Sequence, residues 1–196
     1  MDRATWNMRK ADIIARIEQV REAIESASGQ HMRLILLTDG SVNPKRGVGF
    51  GAYLAFTKAP EHIDDLSDLI KVKRFEDTSS TKLELQTLLW ALSEISEREV
   101  VSYTDSQNIP GLLSRKDRLV ANRYCSKNGR RIRNHALYKA FFESTEQFDI
   151  QFHLLSGHMP SRCKHRIDEM FSLVDRAARN ALRSDTKSSF QPIAIK

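Results

Sequence analysis

The chain has 196 residues, 40% of them hydrophobic, and 31 basic against 25 acidic residues give a formal net charge of +6. This composition suits one compact domain and excludes fibrous, low-complexity and disordered chains. No apolar run approaches the roughly 18 residues of a membrane helix, and the N-terminus lacks the apolar core of a secretory signal. The two cysteines, Cys125 and Cys163, form no CxxC pair. We therefore expect reduced thiols in a cytoplasmic protein with no membrane partner.

Hydrophobic periodicity in the first half of the chain predicts one helix and then three strands. Apolar residues recur at helical spacing over 6–28, so we expect residues 1–30 to form an amphipathic helical extension. A short apolar run at 34–39 predicts a central strand covered on both faces. Apolar residues alternate over 48–56, where glycines leave the other face bare for a backbone or a ligand. A weaker strand near 70–75 completes an antiparallel meander.

The second half alternates helices with strands. Leucines at helical spacing predict a helix over 81–96, with Ser79 or Ser80 as its N-cap. A strand at 100–104 follows, and reaching it through a helix implies a parallel neighbour in the same sheet. Further elements are a polar helical stretch at 107–125, a helix at 134–146, a strand at 148–154, a final helix and a loose tail over 184–196. The order predicts an α/β fold in which helices flank a mixed five-stranded sheet, with three antiparallel strands plus two parallel ones.

Two acids stand at the carboxyl ends of predicted core strands, Asp39 after the first and Asp105 after the fourth. If these strands are parallel neighbours, their ends lie about 5 Å apart. Carboxylates that close repel each other unless one is protonated or a cation lies between them. Oxygen ligands suit Mg²⁺, and two such ions about 4 Å apart can activate water in phosphoryl chemistry. Either residue alone would be an ordinary turn residue, but their matched positions favour a metal site.

Two further acids are candidates for the same site. Glu84 lies in the first turn of the 81–96 helix, where an acid can also simply favour the helix N-terminus. The final helix offers Asp168 and Asp175, which are seven residues apart and so lie on nearly the same face.

Residues 114–133 contain eight basic residues and one acid, whereas the charges of the remaining chain nearly balance. A local cationic patch on a near-neutral protein indicates a polyanion partner, and nucleic acid is the first expectation. The alternative is a solvated basic loop. The basic residues are Arg115, Lys116, Arg118, Arg123, Lys127, Arg130, Arg131 and Arg133.

Five short motifs, in this order, resemble those of type 1 ribonuclease H. They are Thr38-Asp-Gly-Ser41, Thr81-Lys-Leu-Glu-Leu85, Thr104-Asp-Ser-Gln107, Ser156-Gly-His158 and Val174-Asp-Arg-Ala-Ala178. The resemblance runs from about Leu34 to Arg183. It implies a ribonuclease H-like catalytic domain over 31–183 that cleaves the RNA strand of an RNA–DNA hybrid with two Mg²⁺ or Mn²⁺ ions. The helix at 6–28 has no counterpart in the minimal enzyme.

The resemblance also implies roles for the acidic residues. Asp39, Glu84 and Asp105 match the metal-binding acids of the family. The sequence after Asp175 favours this residue as the fourth acid, although the spacing from the Ser156-Gly-His158 motif suits Asp168 better. His158 matches a histidine on a mobile loop, which assists proton transfer or product release.

Nucleic-acid contacts follow from the same resemblance. The basic segment is similar to the family's basic protrusion, which grips the DNA strand mainly through its phosphates. Asn43 and Gln107 are similar in place to polar residues that read the RNA minor groove and its 2′-hydroxyls, the groups that distinguish RNA from DNA. The implied contact residues are Gly40, Ser41, Asn43, Gln107, Lys116, Arg118, Arg130, Arg131 and Arg133.

Two other interpretations of the sequence remain open. One is a nuclease of the same fold that acts on DNA, such as a junction resolvase or a transposase-like enzyme. The Thr104-Asp-Ser-Gln107 motif and the basic segment argue against it. The other is a catalytically inactive module that only binds nucleic acid, but four acids held together without a cation would repel each other. A monomer is slightly favoured over an oligomer.

Overall fold

The computed structural model describes residues 33–58, 64–155 and 166–188. The predicted N-terminal helix, His158 and residues 189–196 lie outside these ranges. In the parts that are described, no helix combines the length and the apolar character needed to cross a membrane. The strands are β1 (Leu34–Asn43), β2 (Val48–Phe56), β3 (Lys71–Phe75), β4 (Glu99–Thr104) and β5 (Asp149–Leu154). A short 3-10 helix (Asp64–Leu69) precedes α1 (Ser80–Glu94), α2 (Asn108–Leu113), α3 (Lys116–Ala121), α4 (His135–Gln147) and α5 (Arg166–Ser188).

The five strands form one mixed sheet in the order β3-β2-β1-β4-β5. The pairs β1–β2 and β2–β3 are antiparallel, whereas β1–β4 and β4–β5 are parallel. This arrangement confirms the predicted α/β fold. In the parallel pair of central strands Leu37 lies opposite Tyr103. Asp39 and Asp105 each follow two residues later, so both stand at the same end of the sheet.

Helices cover both faces of the sheet, as the continuous apolar run of β1 predicts. Successive side chains of a strand point to opposite faces, so Leu36 and Leu37 are both fully buried but in different layers. Leu36 packs in the layer formed with α1, α2, α3 and α4, which includes the fully buried Phe141. Leu37 packs in the layer formed with α5, whose Met170 and Val174 are also buried.

Glycines in β1 and β2 let α1 lie unusually close to the sheet. A Cβ atom at Gly51 would stand 2.1 Å from Thr87 Oγ1, and Cβ atoms at Gly40 and Gly49 would stand 2.8 and 2.7 Å from side-chain carbons of Leu83. The bare face predicted for the second strand is therefore covered by a helix of the same chain and is not open to a ligand. This close packing brings the N-terminal part of α1 to the end of the sheet where Asp39 lies. Glu84 stands just past the first turn of α1, so its predicted place within that turn is wrong.

Two predicted boundaries are wrong within the described residues. The first strand continues past Asp39 to Asn43, because Gly40 to Asn43 pair with β2 across a tight hairpin. The stretch 107–125 is not one helix but α2 and α3, which are separated at Ser114 and Arg115. After α3 the backbone turns sharply, since Arg123 and Tyr124 both adopt left-handed φ angles of 50° and 55°.

The predicted loose tail is also wrong at its start, because α5 remains helical to Ser188. Asp185 fixes this end of the helix to the rest of the domain. Its carboxylate lies 3.0 Å from Arg46 Nη1, in the turn after β1, and 3.0 Å from Arg74 Nε of β3. A loss of hydrophobic periodicity after residue 183 could not reveal these ion pairs, because their partners are distant in the sequence.

Candidate active site

Asp39 lies near other carboxylates in the carboxyl half of β1, just beyond the residues that pair with β4. Burial raises the pKa of Asp39 most strongly, and a hydrogen bond with the Gly40 backbone opposes that rise. The negative charges of Asp105 and Asp175 raise the pKa further, as does a side-chain hydrogen bond with Asp175, and the result is a pKa of about 8. Without a compensating cation, this carboxyl group is therefore mostly neutral at pH 7.

Glu84 approaches the same site from α1. The Ser106 hydroxyl donates a hydrogen bond to Glu84 Oε2, and the Ser80 side chain also forms a hydrogen bond with this carboxylate. Burial raises the pKa of Glu84, and the charge of the exposed Asp105 adds to that effect, whereas the two hydrogen bonds lower it. The four acids named for the metal site are thus linked through neighbouring pairs, with Asp105 close to both Asp39 and Glu84.

Ser106 is a site residue that the sequence analysis did not single out. It is 5% exposed, and its backbone N–H donates a 3.1 Å hydrogen bond to Thr104 Oγ1. This hydrogen bond fixes the loop after β4 so that the Ser106 hydroxyl faces α1. The only signal in the sequence was the position of Ser106 within the Thr104-Asp-Ser-Gln107 motif.

Arg179 is a second site residue that the sequence alone did not indicate. Its Nε atom lies 2.7 Å from Asp175 Oδ1, one helical turn away on α5. The sequence left Asp168 and Asp175 as alternatives for the fourth acid, and it is Asp175 that contacts Asp39. Asp168 lies two turns earlier, near the start of α5.

The donor set fits a hard divalent cation in charge and atom type. Carboxylate oxygens are the ligands that Mg²⁺ prefers, and the mutual repulsion around Asp39 is what a cation would relieve. The side chains do not, however, form a finished coordination shell. Among the residues of the described ranges, no three His, Cys, Asp or Glu side chains are grouped closely enough to hold a metal ion.

Four predicted nucleic-acid contacts, of which Asn43 and Gln107 are the minor-groove residues, lie at this end of the sheet. Gly40 and Ser41 continue β1 beyond Asp39, and Gln107 is exposed just before α2. Asn43 ends β1, and its Oδ1 atom accepts hydrogen bonds from the backbone N–H groups of Lys45 (3.2 Å) and Arg46 (3.3 Å). Because the turn uses this oxygen, a ligand contact by Asn43 would use its amide NH₂ group.

The basic segment folds into two short helices and a loop. An isolated antiparallel bridge between Cys125 and Arg131 closes the loop, whose tip has Gly129 at a φ angle of 73°. Lys116 is engaged within the protein, because its Nζ atom lies 2.6 Å from Glu146 Oε1 and 5.9 Å from the centre of the Phe142 ring. The other predicted contacts of this segment are exposed: Arg118, Arg130, Arg131 and Arg133.

A family model described as RNase H matches residues 31–183. The chain belongs to the ribonuclease H family. The resemblance inferred from the five motifs is therefore confirmed, and relatives that carry this name support a ribonuclease H enzyme. Ribonuclease H of Chlorobium phaeovibrioides (strain DSM 265 / 1930) is 27% identical over 149 residues, which cover 74% of this chain and 96% of the relative. Ribonuclease HI of Haemophilus influenzae is 28% identical over 154 residues, which cover 76% and 92%.

The fold is also that of a solved structure described as the foamy viral protease-reverse transcriptase in complex with dsDNA. The superposition has a TM-score of 0.54 and covers 76% of this ribonuclease H chain and 95% of that chain. Sequence identity is 14%, so the likeness shows the shared fold alone.

Proposed function

We propose that this ribonuclease H hydrolyses the RNA strand of RNA–DNA hybrids. We further propose that two divalent cations, Mg²⁺ or Mn²⁺, bind its acidic cluster, which consists of Asp39, Glu84, Asp105 and Asp175. The observation that supports this most directly is the placement of Asp39, buried beside Asp105 and Asp175 with its pKa raised to about 8. A carboxyl group whose ionised form is disfavoured by folding lowers the stability of the protein at neutral pH. Cation binding gives this costly arrangement a function.

The four acids would form two adjacent cation sites. Asp39 with Glu84 and Asp105 would hold one cation, and Asp39 with Asp175 would hold the other. Bound divalent cations supply a water nucleophile of lowered pKa and stabilise negative charge on the phosphate and the leaving oxygen. In-line attack by water then leaves a 5′-phosphate and a 3′-hydroxyl.

Protein side chains outside the cluster position these acids and the substrate. Ser106 holds Glu84, and Arg179 holds Asp175. His158 is proposed to move a proton or to assist product release. The exposed arginines of the basic segment would contact phosphates, in a salt-dependent manner, whereas Gln107 and the Asn43 amide would contact the RNA minor groove.

A cleavage assay on a labelled hybrid, with and without Mg²⁺ or Mn²⁺, tests this function. Asp39→Asn should lose at least about 10³-fold in activity while keeping the fold, because it removes charge at the centre of the cluster. Asp149→Asn is the matched control, since Asp149 is exposed and begins β5 at the opposite end of the sheet. Near-normal turnover by Asp39→Asn would contradict the assignment. Duplex and branched DNA belong in the same assay, because preferential cleavage of either would favour the DNA-directed interpretation.

A further inference from the structure

The exposed side of α5 carries a line of basic side chains, of which the proposed active site uses only Arg179. Arg176, Arg179, Arg183 and Lys187 follow each other at intervals of three or four residues, which places them on one face of the helix. All four are exposed. We call these four residues the α5 basic stripe. It starts one residue after Asp175 and extends for about 16 Å at the helical rise of 1.5 Å per residue.

Within the part of the chain that the structure describes, most of this charge has no ion-pair partner. Arg179 pairs with Asp175, but no carboxylate in the described ranges lies within ion-pair distance of Arg176, Arg183 or Lys187. Like charges one turn apart on a helix repel each other. Apart from the favourable position of Lys187 in the last turn of α5, the described ranges offer little to offset this repulsion, so the row is suited to an anionic partner.

Two concavities adjoin the stripe. One, of about 300 Å³, is formed by α5 side chains alone and includes Asp175, Arg176 and Arg179. The other, of about 440 Å³, lies between the end of α5 and residues 42–44, where β1 ends and the following turn begins. Arg183 lines both of them. The stripe therefore forms a continuous path from Asp175 to Asn43, the predicted minor-groove contact at the end of β1.

The far end of the stripe is held in place. Asp185 pairs with Arg46 and Arg74, which fixes the last turns of α5 against the sheet. Helix α5 continues five residues beyond the region that the family model matches, and Lys187 stands on that continuation. The distances between the basic residues of the stripe are consequently fixed by the helix before any ligand binds.

We propose that the α5 basic stripe is a second nucleic-acid surface, which binds backbone phosphates of the substrate beside the cleavage site. The inference rests on the proposed function, because it takes the nucleic acid to be the strand presented to the acidic cluster. Phosphates recur regularly along a strand, as the basic groups do along α5, and guanidinium groups pair with phosphates through two parallel hydrogen bonds. Since α5 is separate from the segment 114–133, the stripe would lengthen the contact with the substrate.

Equilibrium binding of a labelled hybrid over about 50 to 200 mM salt tests the proposal. The parent is Asp39→Asn, which keeps every basic residue but should not cleave the ligand. The test variant adds Arg176→Ala and Arg183→Ala. The control adds Arg33→Ala and Lys58→Ala, which remove two exposed charges from the other end of the β1–β2 pair.

We expect the test variant to lose about one to two units of slope in a plot of log affinity against log salt, since each phosphate contact contributes about 0.7 to 0.9. Its affinity should fall about tenfold or more, while the control keeps the slope and the affinity of the parent. In the chain with Asp39 intact, the same two arginine substitutions should raise KM and leave kcat unchanged. The phosphate contacts that they remove would stabilise the bound substrate and the transition state equally.

The outcomes separate this proposal from the proposed function. A test variant that binds like the control overturns the second surface. Stripe-dependent binding of poly-glutamate without an effect on the hybrid overturns it too, and would assign the stripe to an acidic protein. If the unmodified chain fails to cleave hybrids although the arginine substitutions still weaken hybrid binding, the proposed function fails and the second surface stands.

Discussion

Ser106 donates a hydrogen bond from a buried position to the carboxylate of Glu84, which is 22 residues away in the sequence. The bond joins the loop after β4 to the N-terminal part of α1, just past its first turn. These two elements carry Asp105 and Glu84, so the serine fixes the relative position of two acids that repel each other. Under the proposed function, its contribution would be to position Glu84 as a metal ligand and not to bind substrate.

Ser106→Ala should therefore lower hybrid cleavage by about 10- to 100-fold, the usual effect of removing a hydrogen bond to a metal ligand. The concentration of Mg²⁺ that gives half-maximal activity should rise in parallel, which a purely structural role would not require. Ser114→Ala is the control, because Ser114 is exposed and its hydroxyl donates only to the Gly111 carbonyl of the same helical segment. An unchanged metal dependence in Ser106→Ala would contradict the role assigned to this residue.

The contact between Asp39 and Asp175 predicts which acid of α5 serves the reaction. Asp175→Asn should lose at least about 100-fold in cleavage, because it removes charge directly beside Asp39. Asp168→Asn, two turns away, should stay within about threefold of the unmodified enzyme. Initial rates in Mg²⁺ and in Mn²⁺ measure both effects. The reverse order of the two variants would assign the fourth acid to Asp168.

The strands, and the placement of Asp39 near Asp105, could be predicted because their signals are local. The apolar run of β1 and the alternation in β2 indicate burial directly. Asp39 and Asp105 each follow the paired residues of two strands that the crossover through α1 makes parallel. The break between α2 and α3 had no such signal. The sharp turn after α3 had none either. Arg123 and Tyr124 adopt left-handed φ angles there, which residues other than glycine rarely do, so packing of the folded domain selects this backbone.

Other features depended on contacts between distant parts of the chain. The glycines of β2 indicated a close approach, but only the fold shows that Leu83 and Thr87 of α1 are the approaching groups. The hydrogen bond from Ser106 and the ion pairs of Asp185 also join residues that are far apart in the sequence. Residue type alone could not identify these partners.

Close packing of α1 against β2 predicts a large asymmetry between two glycines. Gly51→Ala should lower the free energy of unfolding by about 1 to 3 kcal/mol, because the new methyl group would meet the Thr87 side chain. Gly111→Ala should instead raise it by up to about 1 kcal/mol, since a Cβ atom there meets nothing within 4 Å and Gly111 is helical. Denaturant titrations of the two variants measure the difference. Equal effects on stability would show that α1 does not need the glycine at position 51.

The raised pKa of Asp39 predicts how stability depends on pH when no divalent cation is present. Folding raises this pKa from 3.8 to about 8, so between those values the folded protein retains a proton that the unfolded chain has released. Stability is therefore greatest below about pH 4 as far as this group is concerned, and it falls as the pH rises toward 8. The raised pKa of Glu84, caused mainly by burial, acts in the same direction.

Thermal unfolding in the presence of a chelator, from about pH 5.5 to pH 8, measures this effect. At pH 8, Asp39→Asn should be more stable than the unmodified chain by at least about 1 kcal/mol, which raises the unfolding temperature by roughly 2 to 4 °C. Its unfolding temperature should also depend less on pH. Asp149→Asn should keep the slope of the unmodified chain. Added Mn²⁺ should stabilise the unmodified chain more at pH 8 than at pH 5.5, because the ion binds deprotonated carboxylates. Stabilisation that is independent of pH, or that persists in Asp39→Asn, would place the cation away from this cluster.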